Sequence, residues 1–296
     1  MILLVYLGTE GPGASNLCQC TMFKIGHGSV QNYRHRVVTA ILSLRKQFYN
    51  WPNENERKTI TARFLRDYGW PNLVMLTNGT LNPLAFQPET ENAPDYHGRK
   101  HLYSMSTIIM NDNKKRIRYY LAGFPGSAHD NRILQNTKIA KNSNMYFSPL
   151  EYMIGDSAME ADWWMIPAYK KPHKHELPRP KEIFNTELSK PRVLTEHCIG
   201  MWKGRFPWLR NIRMKITENT QSSQQILDYI QVTIIFNKFL IDADDNGLDD
   251  WMQVDDDSVE NWINDDNVVM RPLPDGHDKN LQCRQLLRLI NDTYKV

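Results

Sequence analysis

The chain has 296 residues, with 36 basic and 33 acidic side chains and a formal charge of +3. An apolar fraction of 41% and eight tryptophans exclude wholesale disorder, and the length allows one large domain or two small ones. Four cysteines without zinc-knuckle spacing exclude a disulfide framework and predict a reducing compartment, and no apolar run approaches the ~20 residues of a membrane span.

The charge is unevenly distributed along the chain. Residues 242–266 contain ten Asp and one Glu but no Lys or Arg, so the other 271 residues carry 36 basic and 22 acidic side chains, a balance of +14. A basic body with an acidic tail predicts a polyanionic partner, and DNA is the partner we expect. Asp242-Ala243-Asp244-Asp245-Asn246-Gly247 begins like a calcium loop, but Gln253 stands where such a loop needs a bidentate Glu.

Residues 1–70 are predicted to be helical. Ser29 is the expected N-cap after a turn at Gly26-His27-Gly28. The apolar residues that follow recur at helical spacing: Val30, Tyr33, Val37, Ile41 and Leu44. A short helix, a glycine turn and a polar-basic helix outline a helix-turn-helix remnant, although an ordinary amphipathic helix has the same pattern. A further helix is predicted over 54–68.

From Leu73 onward, short apolar runs alternate with turn residues, a pattern typical of strands. The predicted strands are 73–76, 102–110, 117–122, 151–154 and 165–169. A capping box at Ser127-Ala128-His129-Asp130 predicts a helix that ends near Asn136. Segments 82–100 and 170–190 are predicted to be loops, and helices are predicted at 192–205 and 222–241.

The order of elements predicts the fold class. The first three strands can pair as an antiparallel meander, and the fourth, which follows a helix, can lie parallel to the first. This order predicts an α/β fold with a ribonuclease H-like mixed sheet, flanking helices and an N-terminal helical region. The expected divisions are a helical region at 1–70, the mixed-sheet domain at 71–241, and an acidic, partly disordered tail at 242–296.

Five short motifs follow one another along the chain. They are Asn78-Gly79-Thr80, Gly98-Arg99-Lys100, Pro125-Gly126-Ser127-Ala128-His129-Asp130, Gly155-Asp156-Ser157, and the spaced run Arg192, Glu196, Gly200, Lys203-Gly204-Arg205-Phe206. Together they resemble the PIF/Harbinger transposase nuclease domain, a DDE-superfamily endonuclease group that includes domesticated Harbinger-derived nucleases. The resemblance covers roughly residues 70–241, and the preceding region resembles the helix-turn-helix that often precedes this domain.

The resemblance implies phosphodiester hydrolysis assisted by Mg²⁺ or Mn²⁺. Two such ions, held by carboxylates, activate the attacking oxygen and stabilise the leaving oxygen. Asp156 and Glu196 match the second and the last catalytic acids of the family, and Asp130 matches an extra acid at a helix start. Each has a structural alternative: Asp156 as a turn residue, Glu196 as a solvated residue paired with Arg192, and Asp130 as a helix cap.

The first catalytic position departs from the family pattern. The family has Asp before Gly-Thr, and this chain has Asn78. An amide keeps one carbonyl oxygen as a metal ligand but carries no charge and bridges two cations poorly. Leu81 stands where many relatives carry His. We therefore expect a divalent-metal site of Asp156, Glu196, Asp130 and Asn78 with impaired catalysis.

Basic side chains near the last two acids predict a DNA surface. The residues expected to bind phosphates without sequence preference are Lys203, Arg205, Lys170 and Lys171. Lys174 and Lys181 lie in the same predicted loop as Lys170 and Lys171. A solvated loop is the alternative interpretation. The tryptophans Trp163, Trp164 and Trp202 could stack on bases, but core packing is the prediction.

Two hypotheses about function follow from the resemblance. The first is a transposase-derived nuclease acting on DNA through divalent metal, impaired by Asn78. The alternative is a catalytically inactive domesticated protein that binds DNA or a partner on the same fold. The resemblance also implies nuclear localisation, with a cytoplasmic pool left open, and a separate DNA-binding partner protein. No membrane partner is expected, and the sequence does not determine the oligomeric state.

Overall fold

The computed structural model describes residues 1–48, 50–98, 100–172 and 176–243. The helices within these residues are α1 (Ile2–Leu7), α2 (Asn16–Phe23), α3 (His27–Ser43), α4 (Arg45–Phe48), α5 (Glu54–Tyr68), α6 (Asp130–Gln135), α7 (Lys138–Lys141), α8 (Ser143–Tyr146), α9 (Arg179–Arg205) and α10 (Thr220–Asp242). The strands are β1 (Leu73–Pro83), β2 (Ser104–Asn111), β3 (Ile117–Pro125), β4 (Tyr152–Gly155) and β5 (Met165–Pro167). The acidic tail beyond 243 lies outside them, with all but the first two residues of its calcium-like run, as do Arg99 and Lys174.

The five strands form one mixed sheet in the order β3-β2-β1-β4-β5. β1, β2 and β3 pair antiparallel, and β4 pairs parallel with both β1 and β5. The three short helices α6, α7 and α8 separate β3 from β4, and this crossover allows β4 to run parallel to β1. The predicted α/β fold with a ribonuclease H-like sheet and flanking helices is confirmed.

Helices cover the β1–β2 part of the sheet on both sides. On one side, Ile108 of β2 packs in a cluster with Ile133 and Leu134 of α6. On the other side, the adjacent residue Ile109 packs in a second cluster with Trp202 of α9. Alternate residues of a strand point to opposite sides. We call these sides the α6 face and the α9 face.

The N-terminal helices pack onto the same core as α10. Leu3 and Leu7 of α1 and Val38 of α3 belong to the cluster on the α9 face together with Ile230 of α10. The predicted helical character of the first 70 residues is thereby confirmed in its elements. α2, a turn at residues 24–26 and α3 also follow one another in helix-turn-helix order.

Two details of α3 differ from the sequence prediction. The N-cap is Gly26 and not Ser29. The predicted apolar stripe is only partly the inner side, because α3 buries Val30, Arg34 and Val38, leaves Tyr33 exposed and packs Ile41 partly against the core. Arg34 takes the inner position because its guanidinium lies 4.2 Å from the ring centre of Tyr6 and also donates a hydrogen bond to Asn16.

β1 is longer than predicted, since it continues past Leu76 to Pro83. Its second half pairs with β2 as far as the Pro83–Ser104 pair. This pairing satisfies the backbone of polar residues that carry no apolar signal. Asn78 therefore lies inside a strand.

Helix starts in two other places also correct the sequence prediction. The N-cap of α6 is His129, without a side-chain capping hydrogen bond, so the predicted capping box from Ser127 does not form. α9 begins at Arg179, inside the segment predicted as a loop, and contains Pro191. Burial of Phe184 and Leu188 against the sheet outweighs the cost of an interior proline.

Other local predictions are confirmed. The helix predicted over 54–68 is α5, and the structure adds that it begins with a reciprocal capping box between Asn53 and Glu56 and ends at Gly69 in the left-handed conformation. Trp164 and Trp202 are buried in the core as predicted. Of the helices described, none is long and apolar enough to cross a membrane.

Candidate catalytic centre

Asn78 and Asp156 are brought together where β1 and β4 run side by side. Leu76 pairs with Ile154 in parallel register. Asn78 and Asp156 each follow two residues later, so they are neighbours. Strands in a sheet lie about 4.8 Å apart. Gly155, just before Asp156, is closely packed, because a Cβ there would lie 2.4 Å from Sδ of Met159 and 3.2 Å from Cγ2 of Thr77.

Asp156 forms an ion pair with an arginine from α9. Its Oδ1 accepts a hydrogen bond from the backbone N–H of Ser157 at 2.7 Å and one from Nη2 of Arg192 at 3.2 Å. The Asp156 side chain is 35% exposed and that of Arg192 is 19% exposed. One oxygen of this carboxylate is therefore engaged by a guanidinium, while the side chain still reaches solvent.

The side chain of Asn78 points to the α9 face. Asn78 pairs with Ile109 of β2, and directly paired residues of adjacent strands share a face. Its Oδ1 accepts a hydrogen bond from the backbone N–H of Gly79 at 2.9 Å. The only oxygen that this amide offers a metal is thus turned toward its own backbone.

Asp130 approaches β1 from the opposite side. Gly79 pairs with Ile108 on the α6 face, and a Cβ built on Gly79 would lie 2.2 to 2.5 Å from the carboxyl atoms of Asp130. The Asp130 carboxylate therefore rests on the backbone of Gly79, across the strand from the Asn78 side chain. The next residue of α6, Asn131, accepts a hydrogen bond from the backbone N–H of Glu160 at 3.0 Å, which ties this end of α6 to the loop after β4.

Glu196 is exposed on α9, one turn beyond Arg192. Residues four apart share a side of a helix, so Glu196 follows the side that carries Arg192 to Asp156. Further along α9, Nζ of Lys203 donates a hydrogen bond to the carbonyl oxygen of Leu81 in β1. Glu196 therefore lies between two points at which α9 contacts the sheet near Asn78. Its predicted pairing with Arg192 is replaced by the Arg192–Asp156 pair.

These placements do not match a two-metal centre. The structure brings Asn78 and Asp156 together, holds Glu196 on the helix above them and keeps Asp130 on the other face of β1. Within the described parts of the chain, no three His, Cys, Asp or Glu side chains form a group that could hold a metal ion. Two divalent cations need several converging carboxylates, whereas Asp156 here faces an amide and an arginine.

The four predicted DNA-contacting residues have different surroundings. Burial, together with nearby Arg210 and Lys100, lowers the pKa of Lys203 to about 7. Nη1 of Arg205 donates a hydrogen bond to Oδ1 of Asn237 at 2.9 Å. Both side chains therefore make contacts within the protein.

The other two predicted DNA-contacting residues follow β5. Lys171 is exposed and Lys170 is half-buried. Lys181, the fourth basic residue named from this segment, lies at the start of α9, with Nζ 5.0 Å from the ring centre of Tyr169. The clearest solvent-facing cation of the predicted set is Lys171.

The sequence analysis missed Arg192 as the partner of Asp156. The local signal was present, because Arg192 belongs to the same motif as Glu196 and shares its helix face. To choose Asp156 and not Glu196 as the partner of Arg192 required the position of α9 relative to β4. Asp112, just after β2, is a second residue that the sequence analysis missed: its buried side chain pairs with Arg116 and Arg118, and no local signal identified this ion-pair centre.

Comparisons with known proteins identify the family of this chain. A family model described as DDE superfamily endonuclease matches residues 78–236. "Protein ALP1-like" of Arabidopsis thaliana is 24% identical over an alignment of 263 residues that covers 83% of this chain and 61% of that protein. The chain thus spans less than two thirds of this relative's length, and no solved structure matches it significantly. Because the family model covers more than half of the chain, including Asn78, Asp130, Asp156 and Glu196, this chain belongs to the DDE superfamily endonucleases.

Proposed function

We propose that this protein is a Harbinger-type, transposase-derived DDE relative that binds DNA and whose catalytic centre is impaired. The single observation that supports this most strongly is the Asp156–Arg192 ion pair beside Asn78. The five ordered motifs and the resemblance to an ALP1-like protein support the Harbinger type.

Electrostatics is the reason for the impairment. A centre that attracts divalent cations carries a surplus of negative charge. Here the amide of Asn78 replaces one carboxylate, and the guanidinium of Arg192 neutralises Asp156. Glu196 is the acid that remains on the α9 face, and Asp130 lies across β1. Such a centre binds Mg²⁺ or Mn²⁺ weakly.

DNA binding is supported by charge and by family membership. The chain outside residues 242–266 carries a balance of +14. Lys171 and Lys170 follow β5, which pairs with β4, the strand that ends just before Asp156. Phosphate contacts by such side chains give sequence-independent binding that weakens as salt rises. Nuclear localisation and a separate DNA-binding partner protein belong to this proposal.

A weak divalent-metal-dependent nuclease is the second candidate. It is favoured by the solvent exposure of both Asp156 and Glu196 on one face of the site. Those two residues, with Asn78, would have to hold the metal, and Arg192 would have to leave Asp156. The two candidates differ in whether the natural chain cleaves DNA at all.

A plasmid-nicking and DNA-binding experiment on the purified full chain tests the proposal. We expect the natural chain to bind duplex DNA, with log K falling by about 0.9 per log unit of salt for each phosphate neutralised, and not to nick plasmid with Mn²⁺. Asn78→Asp should increase Mn²⁺ affinity about tenfold or more and permit nicking, because it restores a charged bridging ligand. Adding Asp156→Ala or Glu196→Ala should abolish the gain.

Asn55→Asp is the matched control, since it adds the same charge at an exposed position of α5. Nicking by the natural chain at the rate of Asn78→Asp would overturn the proposed impairment. Failure to bind DNA even at low salt would remove DNA as the partner. If Asn78→Asp folds normally but gains neither Mn²⁺ affinity nor nicking, Asn78 is not the cause of the impairment.

A further inference from the structure

The outward side of α3 is a shallow, largely apolar surface that is partly exposed in the described part of the chain. It is lined by Tyr33, Arg36, Val37, Ala40, Ile41 and Leu44, and we call it the α3 groove. α3 turns its other side inward through Val30, Arg34 and Val38. Tyr33, Val37 and Leu44 are 46%, 43% and 41% exposed. A helix with apolar residues on two sides indicates a second contact surface.

The chain leaves the described structure close to this groove. α10 packs against both α3 and α4, and it ends at Asp242. Near its end Phe239, which is 54% exposed, meets Phe48 of α4 edge-on with ring centres 6.4 Å apart. Residues 244–296 therefore start near α4, which follows the C-terminal end of the α3 groove, although Asp242 itself pairs with Arg116.

Charge favours the approach of that segment. Residues 11–53 contain no Asp or Glu. Arg36 lies in the α3 groove, Arg45 and Lys46 follow at its end in α4, and all three are exposed. The stretch that begins at Asp242 carries ten Asp and one Glu within 242–266. The acids of 242–266 and these three basic residues attract one another, and because they belong to one chain, their association costs little chain entropy.

The same segment also contains apolar residues suited to the groove. Further along it, apolar and sulfur-containing side chains recur at helical spacing: Cys283, Leu286, Leu287 and Ile290. The 17-residue helix α3 is about 25 Å long. The more than 30 residues between Ala243 and Cys283 can span several times that distance when extended.

We propose that the chain's own C-terminal segment docks on the α3 groove. Its apolar stripe at 283–290 covers Tyr33, Val37 and Leu44, and its Asp-rich stretch lies along Arg36, Arg45 and Lys46. A second copy of the chain is a poorer occupant, since two such basic rims would face each other. This contact requires no DNA and is independent of the proposed function.

Cysteine reactivity in the intact chain tests the docking. Val37→Cys places a thiol in the groove, and Leu65→Cys places a matched thiol on α5, where Leu65 is 52% exposed. Alkylation of each site is followed by peptide mass spectrometry, so that the natural cysteines do not interfere. We expect Leu286→Asp with Leu287→Asp to speed alkylation at position 37 about tenfold, as for a groove covered about 90% of the time, and to leave position 65 unchanged. High salt should also increase the alkylation rate at position 37, because it screens the attraction between the acidic stretch and the basic residues.

Three outcomes would overturn the proposal. The first is an alkylation rate at position 37 that does not respond to the two Leu→Asp changes. The second is equal acceleration at positions 37 and 65, which would indicate general loosening of the fold. The third is protection at position 37 that increases with protein concentration, which would assign the groove to a second copy.

Discussion

Two aspartates, Asp112 and Asp156, follow β2 and β4, the strands on either side of β1, but are bound very differently. The side chain of Asp112, just after β2, is fully buried. Its Oδ1 accepts hydrogen bonds from the backbone N–H groups of Lys114 and Arg116, and its Oδ2 accepts from Nε of Arg116 at 2.8 Å and of Arg118 at 2.9 Å. Asp156 has one backbone N–H and one guanidinium and remains partly open to solvent.

The difference separates a structural carboxylate from one that can exchange its partner. Burying a charge is tolerated only when its hydrogen bonds and its charge are both satisfied. Asp112 meets this condition, and its arginines extend the network to Glu56 of α5 and Asp242 of α10. Asp156 keeps solvent access, so a cation can compete with Arg192 for the carboxylate, and a phosphate-bearing ligand can compete with Asp156 for the guanidinium.

The largest effect is expected for Asp112→Asn. Removing the charge leaves Arg118 buried beside Arg116 without its main counterion, and such losses cost about 3–5 kcal/mol. Urea unfolding should show a midpoint shift of that size with little change in slope. A loss of unfolding free energy below about 1 kcal/mol would mean that the Asp112 carboxylate contributes no more to stability than an exposed ion pair such as that of Asp156.

Gly79→Ala extends the comparison to a third acid, Asp130. The new Cβ would overlap the Asp130 carboxylate, so that side chain must move, at a cost of about 1–3 kcal/mol. Combining Gly79→Ala with Asp130→Ala should recover most of the loss, measured as a double-mutant cycle by urea unfolding. Simple addition of the two single effects would refute the contact.

Lys203→Met examines a buried cation that, unlike Arg118, has a carbonyl as its bonded partner. Burial first, and then Arg210 and Lys100, lower the Lys203 pKa from 10.5 to about 7. Between these values the unfolded chain binds more protons than the folded chain, so the stability contributed by Lys203 rises with pH. We expect Lys203→Met to stabilise the protein by about 1–2 kcal/mol at pH 6, and by progressively less as pH rises above 7.

The pH series is measured by thermal unfolding from pH 6 to 9. Lys58→Met on α5 serves as control, because Lys58 makes an exposed pair with Glu54 and should show no such trend. A pH-independent effect at position 203 would show that the ammonium is not strained by burial.

The smallest effect on stability is expected for Asp156→Asn. Its ion pair with Arg192 is partly exposed, and exposed pairs contribute about 0–1 kcal/mol. The same urea measurement used for Asp112→Asn checks this value directly. A loss approaching that of Asp112→Asn would make Asp156 a structural residue and would weaken its assignment to the candidate centre.

Much of the fold could be predicted because its signals are local. Apolar runs identify β2 to β5, the capping residue Asn53 and Gly69 delimit α5, and the order of elements predicts β4 parallel to β1. These features depend on side chains a few residues apart. The motifs around Asn78, Asp156 and Glu196 likewise indicated the endonuclease family before any tertiary contact was known.

The sequence by itself determined the order of elements, the mixed-sheet class and the residue types at the four candidate positions. Only the tertiary structure decided which of these residues meet. Arg192 could pair with Glu196, one turn away on its own helix, or with Asp156, and the position of α9 beside β4 selected Asp156. Asp130 and Asn78 were separated by strand register, because adjacent residues of β1 point to opposite faces. Both outcomes depend on how distant segments are placed in space, and no local pattern encodes that.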